Sequence, residues 1–281
     1  MKHMKRITVL FVSLFMMLTI GVHIAAAQDI QPSGEKIGLD KEGNAVYQIH
    51  SNGIKIGYKL IGSGEPLVMI VGLGDTMDRW PKEVIDALSK KFQLILLDNR
   101  GMGHTTANDA IFTYNLFADD VIGVLDTLKV EKANVLGFSM GSTITQELLL
   151  VYPQRFNKAV IYATSTDGSN VATALKGKAP PGESTINPIV LRQLEATAHW
   201  KTPLDKMPSI TNQVMFIVGT SDSVVGAESS KKLASAIPGA WLVQFKNGSH
   251  GFMIEAPIEF AEIVLAFLDI NETIGVKQLA H

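Results

Sequence analysis

Ala133-Asn-Val-Leu-Gly137-Phe-Ser139-Met-Gly141-Ser-Thr-Ile144 joins a short apolar run to a helical pattern through Gly-x-Ser-x-Gly. A strand that turns this sharply into a helix holds the serine at its tip in a strained backbone conformation, the arrangement called a nucleophile elbow. Side chains flanking the turn would crowd it, and Gly137 and Gly141 carry no Cβ. The helix that begins after Ser139 aims backbone N–H groups and the positive end of its dipole at the same place. Glycine and serine are common, so the five residues alone also fit an ordinary turn with a solvated serine. The strand before them and the helix after them favour the elbow.

Outward from the elbow, residues 67–71, 94–97, 159–162 and 214–218 repeat the apolar character of 135–136. None alternates with polar residues, as expected of strands covered on both faces of a parallel sheet. Residues 241–245 form a sixth, less uniformly apolar run. Helical spacing links Tyr114, Phe117, Val121, Leu125 and Leu128 after the candidate N-cap Thr113. The same spacing links Met140, Ile144, Leu148 and Tyr152 before Pro153. Pro257 suits a first helical position ahead of Phe260, Val264 and Phe267. Upstream, residues 45–50 and 54–61 flank Ser51-Asn52-Gly53, a hairpin signal.

A hairpin followed by alternating strand and helix units predicts an α/β fold, with a mostly parallel central sheet flanked by helices. Residues 46–272 are read as its single domain, 28–45 as a mobile lead-in and 273–281 as a C-terminal tail. Residues 164–208 interrupt the alternation with Gly168, Gly177, Pro180-Pro181-Gly182 and Pro188, and only 189–199 has helical spacing. Insertions at the C-terminal edge of a parallel sheet sit over active sites, so 165–208 is read as a small cap.

A chain of 281 residues suffices for one large domain with a substantial core. A net charge of −2 with interspersed signs supplies no basic face for nucleic acid or an anionic membrane. The absence of cysteine excludes disulfides, thiolate nucleophiles and cysteine-bound metals. Export is expected from the N-terminus: Met1-Lys-His-Met-Lys-Arg6 is basic, 7–22 is almost wholly apolar, and Ala25-Ala26-Ala27 offers small residues for cleavage before Gln28. Residues 1–27 are therefore read as a cleaved signal peptide of a secreted or periplasmic protein, with an uncleaved membrane anchor as the competing reading.

A serine hydroxyl becomes a useful nucleophile when an oriented histidine takes its proton. His250, in Lys246-Asn-Gly-Ser-His250-Gly-Phe, follows the last strand and precedes the final helix, which suits a sheet-edge imidazole. His50 lies in the first hairpin, His104 in a glycine-rich loop, His199 in the cap, and His281 at the terminus. The histidine in turn needs a carboxylate. Asp222, in Gly219-Thr-Ser-Asp222-Ser-Val-Val, stands directly beyond a buried run, and Asp167 beyond the preceding run is its rival. Asp222 follows the cleaner strand-end turn; the plain alternative for either is a turn or cap residue. Behind an elbow of this kind, the oxyanion donors are the N–H after the nucleophile and one from an earlier strand-end loop. These are Met140 and Leu73, the latter in Val71-Gly72-Leu73-Gly74-Asp75. A dinucleotide reading of Gly72-x-Gly74 fails because Met77 stands where the third glycine belongs. No H-E-x-x-H or other ligand spacing implies a metal, and no cofactor is implied.

With these motifs in place, the chain resembles the α/β-hydrolase superfamily, in its branch of short-capped serine esterases, lactonases and cofactor-free haloperoxidase-like enzymes. The resemblance spans about residues 46–270. It rests on Val71-Gly72-Leu73-Gly74, Asp98-Asn-Arg-Gly101-Met-Gly103, Gly137-Phe-Ser-Met-Gly141, Gly219-Thr-Ser-Asp222 and Gly248-Ser-His250, in that order. It implies an α/β-hydrolase fold and a serine hydrolase with the triad Ser139, Asp222 and His250, acting on a small carboxylic ester or lactone. Val71-Gly72 replaces the His-Gly of many members, so the oxyanion loop needs other support, and His104-Thr105 replaces a commoner small residue and serine. A peptidase, a perhydrolase, a carbon–carbon bond hydrolase or a non-catalytic binding module on the same scaffold are the alternatives. Met77, Trp80, Phe138, Leu191, Leu194 and Trp200 are candidate pocket residues, each also compatible with the core.

Overall fold

The computed structural model describes residues 29–176 and 187–270. The signal-peptide reading of 1–27, the glycine- and proline-rich stretch at 177–182 and the tail at 273–281 lie outside those residues. Among the described residues no helix is long and apolar enough to cross a membrane.

The strands are β1 (Glu35–Leu39), β2 (Ala45–Ser51), β3 (Ile54–Ile61), β4 (Glu65–Ile70), β5 (Phe92–Leu97), β6 (Ala133–Phe138), β7 (Phe156–Tyr162), β8 (Gln213–Gly219) and β9 (Trp241–Phe245). They form one sheet in the order β1-β2-β3-β5-β4-β6-β7-β8-β9. β1, β2 and β3 are antiparallel, β3 also meets β5 antiparallel, and every pairing from β5 through β4 to β9 is parallel. At the β2–β3 turn Asn52 has φ 48° and Gly53 φ 70°, the two left-handed residues that a type I′ hairpin needs.

The helices are α1 (Lys82–Leu88), α2 (Tyr114–Thr127), α3 (Met140–Val151), α4 (Gly168–Lys176), α5 (Pro188–His199), α6 (Glu228–Ala236), α7 (Phe252–Glu255) and α8 (Pro257–Asp269). Their placement explains why the central strands show no alternation. In β4, Val68 and Ile70 belong to one buried cluster with Val121 and Leu125 of α2, Ile144 and Leu148 of α3, and Leu233 of α6. Leu67 and Met69 point the other way, into a cluster with Val84 of α1 and Phe260, Val264 and Phe267 of α8. Both faces are covered, so both sets of side chains are apolar, and each full burial contributes about 1.5–3 kcal/mol. The predicted caps hold: Thr113 Oγ1 accepts the Leu116 N–H at 3.0 Å, and Pro257 opens α8.

Two segments differ from expectation. The lead-in assigned to 28–45 contains β1, and it is tied down further by Ile30 and Gln93, which exchange hydrogen bonds of 2.6 and 2.9 Å. β1 is largely exposed and pairs through its backbone, so hydropathy carries no trace of it. The insertion between β7 and β8 holds α4 as well as α5, and the two helices pack together. α4 begins Gly-Ser-Asn and has few large apolar residues, which leaves little periodicity to read.

Loop placement near the sheet's C-terminal edge depends on Arg100, which is fully buried. Its Nε donates to Asp120 Oδ2 at 2.8 Å and its Nη2 to Oδ1 at 2.5 Å. Removing one member of such a pair strands the other charge, at a cost of about 3–5 kcal/mol. Arg100→Ala is therefore expected to lower the melting temperature by about 10 °C, as calorimetry would measure.

Candidate active site

β6 ends at Phe138 and α3 begins at Met140, so Ser139 alone makes the turn between strand and helix, with φ 53° and ψ −117°. A non-glycine residue in this region carries about 1–3 kcal/mol of strain. The surroundings hold it there: Ser139 N–H donates to Tyr162 O at 3.0 Å, and Ser139 O accepts from Ser142 N–H at 2.9 Å. The two flanking glycines are required sterically. A Cβ on Gly137 would lie 2.3 Å from Gly141 O, and one on Gly141 would lie 2.2 Å from Ile70 O.

Asp222 lies in the turn after β8 and His250 in the turn after β9. Parallel pairing of β6, β7, β8 and β9 brings both loops to the sheet edge that carries Ser139. His250 Nε2 is 2.9 Å from Ser139 Oγ, and its Nδ1 is 2.8 Å from Asp222 Oδ2. Asp222 Oδ1 accepts the Val224 and Val225 N–H groups at 2.8 and 3.0 Å. The Asp222 carboxylate is fully buried. Burial pushes its pKa up, but the hydrogen bond and charge of His250, with the Val225 and Val224 N–H groups, outweigh this and hold it below its ordinary value. The imidazole lies 5.2 Å from the Phe138 ring, and His250 O accepts the Tyr162 hydroxyl at 2.8 Å.

Asp167 does not join this set. Its carboxylate accepts from Ser169 N–H and Oγ at 2.9 and 2.6 Å and lies 3.4 Å from Lys201. It serves as the turn residue that opens α4. His50 sits in β2, His104 in the loop after β5, and His199 hydrogen-bonds within α5. None of them reaches Ser139.

Leu73 and Met140 line the same narrow cleft as Ser139. Neither N–H has an acceptor among the described residues. The departure from His-Gly at 71–72 is met by other groups. Asn99 Nδ2 donates to Val71 O at 3.0 Å, and Gln193 Oε1 accepts the Gly74 N–H at 2.9 Å. Asp98, just before Asn99, accepts the Met77 and His104 N–H groups at 2.7 Å each, fixing the loops on either side of β5. Its burial raises its pKa, against the pull of those two donors.

Of the candidate pocket residues, Trp200 lines the cleft over Ser139. Met77, Trp80, Phe138 and Leu194 are core residues, and Leu191 is exposed. The remaining wall comes from residues that the sequence does not mark as pocket residues, among them Tyr114, Thr143, Val171, Thr197 and Val225. Tyr114 reads from sequence as one more apolar position on α2; only its contacts with Thr197 and Trp200 of the cap bring it here. Among the described residues no cluster of His, Asp and Glu could hold a metal.

Residues 65–180 match the family model described as the alpha/beta hydrolase fold, a span that begins at β4 and includes the elbow at Ser139. The chain has the α/β-hydrolase fold. A Mycobacterium tuberculosis protein provisionally named as a non-heme bromoperoxidase is 38% identical over 112 residues, covering 40% of this chain and 42% of that protein. The match thus spans less than half of that relative. An Azorhizobium caulinodans protein provisionally named as a carbamate hydrolase is 26% identical over 256 residues, 78% of this chain and 96% of that one. Among solved structures of this fold, the enol-lactonase from Burkholderia xenovorans LB400 superposes with a TM-score of 0.69 at 23% identity, covering 79% of this chain and all of the other.

Proposed function

We propose that this α/β-hydrolase is an exported serine hydrolase that opens a carboxylic ester or lactone through an acyl-enzyme. The observation that carries the reading is the continuous relay from Ser139 Oγ through His250 to Asp222, with contacts of 2.9 and 2.8 Å. Asp222 holds the proton of the neutral imidazole on Nδ1, which leaves the Nε2 lone pair facing the serine hydroxyl. Ser139 Oγ bonds to the substrate carbonyl carbon while its proton passes to Nε2. The carbonyl π pair moves to oxygen, where the Leu73 and Met140 N–H groups and the N-terminus of α3 stabilise it. Collapse of this intermediate breaks the bond to the alkoxide, which takes the proton from Nε2. Water then repeats the sequence on the acyl-serine and releases the acid. In a lactone the leaving hydroxyl stays on the acyl group.

The choice of ester or lactone draws on the lactonase among the structural relatives, and the provisional carbamate hydrolase makes a carbamate the competing substrate. Export draws on the basic start, the apolar run at 7–22 and Ala25-Ala26-Ala27. The expected result with a fluorophosphonate probe is one equivalent of label, mapped to Ser139 by mass spectrometry. A panel of p-nitrophenyl esters, aliphatic lactones and aryl carbamates should show the highest kcat/KM within the first two classes. No label on Ser139, or turnover confined to carbamates, would reject this assignment.

A further inference from the structure

The roomier of two adjoining cavities is not the one over Ser139. The Ser139 cleft offers only about 20 Å³, little more than one water needs. A second cavity of about 820 Å³ lies beside it, within the range of small-molecule sites. The two share two wall residues, Tyr114 and Trp200, whose rings lie 4.9 Å apart. This aromatic pair is the partition between them.

The two sides of the partition are held differently. Tyr114 is buried at the start of α2, and its hydroxyl is 3.0 Å from Thr197 Oγ1. Burial pushes its pKa up to about 12, against the Thr197 and Thr143 hydrogen bonds, so it stays a neutral phenol. Trp200 is half-buried at the end of α5, where the chain turns extended, and its buried indole Nε1 has no hydrogen-bond partner among the described residues. Turning the Trp200 ring therefore breaks no hydrogen bond, whereas moving Tyr114 breaks one.

The larger cavity has an apolar floor and an acidic border. Phe112 and Ala196 are buried, and Ile111 at the mouth is 85% exposed. Arg192 is already engaged: its guanidinium lies 3.8 Å over the Phe112 ring, and Nη2 donates to Asn108 O and Ala110 O. Glu147 and Glu195 on the border disfavour an anionic guest.

We propose that this cavity is the subsite for a neutral, medium-length apolar chain of the substrate, and that Trp200 is the movable partition admitting that chain from the Ser139 cleft. The inference rests on the serine-hydrolase reading. With Trp200 in place the cleft adds little room beyond the reacting carbonyl, so longer chains must displace it.

The test is the ratio of kcat/KM for p-nitrophenyl octanoate to that for the acetate. Trp200→Ala removes the partition and should raise the ratio about tenfold, whereas Ala110→Trp, at an exposed rim position, fills the cavity from outside and should lower it about tenfold. A fluorophosphonate label on wild-type Ser139, measured in parallel, separates the two levels of the argument. Labelling with opposite shifts of the ratio supports the subsite. Labelling with ratios within twofold of wild type in both variants overturns the subsite and leaves the hydrolase standing. Absence of labelling overturns both. Should Trp200→Ala fail to fold, the Ala110→Trp ratio decides alone.

Discussion

Ser139→Ala is expected to reduce turnover of a p-nitrophenyl ester to the uncatalysed background. The scale is set by the interdependence of relay members: removing the nucleophile of a serine hydrolase costs about a millionfold in kcat. The fold should survive. The Ser139 hydroxyl meets His250 Nε2, whereas the bonds that shape the elbow come from the Ser139 backbone to Tyr162 and Ser142. Alanine retains those, and it sits at φ 53° with the same Cβ strain that serine already bears. The melting temperature should therefore stay close to wild type while fluorophosphonate labelling disappears. Residual turnover above background in a preparation free of wild-type protein would remove Ser139 from the mechanism.

The second large effect belongs to Asp222. Asp222→Asn preserves an acceptor for Val224 and Val225 but no longer fixes the proton of His250 on Nδ1, so the lone pair can face away from Ser139. The comparable change in a serine-protease triad lowers kcat about 10,000-fold, and the same scale is expected here. KM should change little, because the carboxylate is fully buried and touches no substrate. The pH dependence has a definite sign. A carboxyl whose pKa is lower in the folded state than its ordinary 3.8 stabilises the fold above that value. The contribution is lost as pH falls through the lower, folded value. The melting-temperature difference between wild type and Asp222→Asn should thus be constant near neutrality and shift in favour of the variant once pH drops below 3.8. A difference that changes instead around neutral pH would assign the titration to another group.

Much of this architecture was legible because burial on both faces leaves a mark. The runs at 67–71, 94–97, 159–162 and 214–218 are apolar throughout, since Leu67 and Val68 alike face helices. Asn52-Gly53 announced its turn because few residue types tolerate φ of 48° and 70° in succession. Ser139, Asp222 and His250 stood out through strand-end position and order, and the parallel pairing of β6 to β9 brings them within hydrogen-bond reach. What escaped notice is held by backbone pairing or by contacts distant in sequence. β1 joins the sheet through main-chain groups while its side chains, Ile37 apart, face solvent. Asn99 and Gln193 support the loop around Leu73, but an amide side chain announces no partner 28 or 119 residues away. Tyr114 and Trp200 meet because the end of a cap helix reaches the first residue of α2, and hydropathy does not encode that.

One of these long-range contacts ties recognition to rate. α5 carries Gln193, which holds Gly74 N–H at 2.9 Å, and it ends at Trp200, the partition beside the large cavity. The residue beside Gly74 is Leu73, whose N–H faces the developing negative charge in the proposed reaction. Cap and Leu73 loop are thus joined by a direct hydrogen bond. A guest that seats badly against Trp200 and displaces α5 strains the Gln193–Gly74 bond and with it the charge-stabilising donor. Poor substrates should then lose kcat as well as affinity, because part of the energy of holding the chain goes into aligning the transition state.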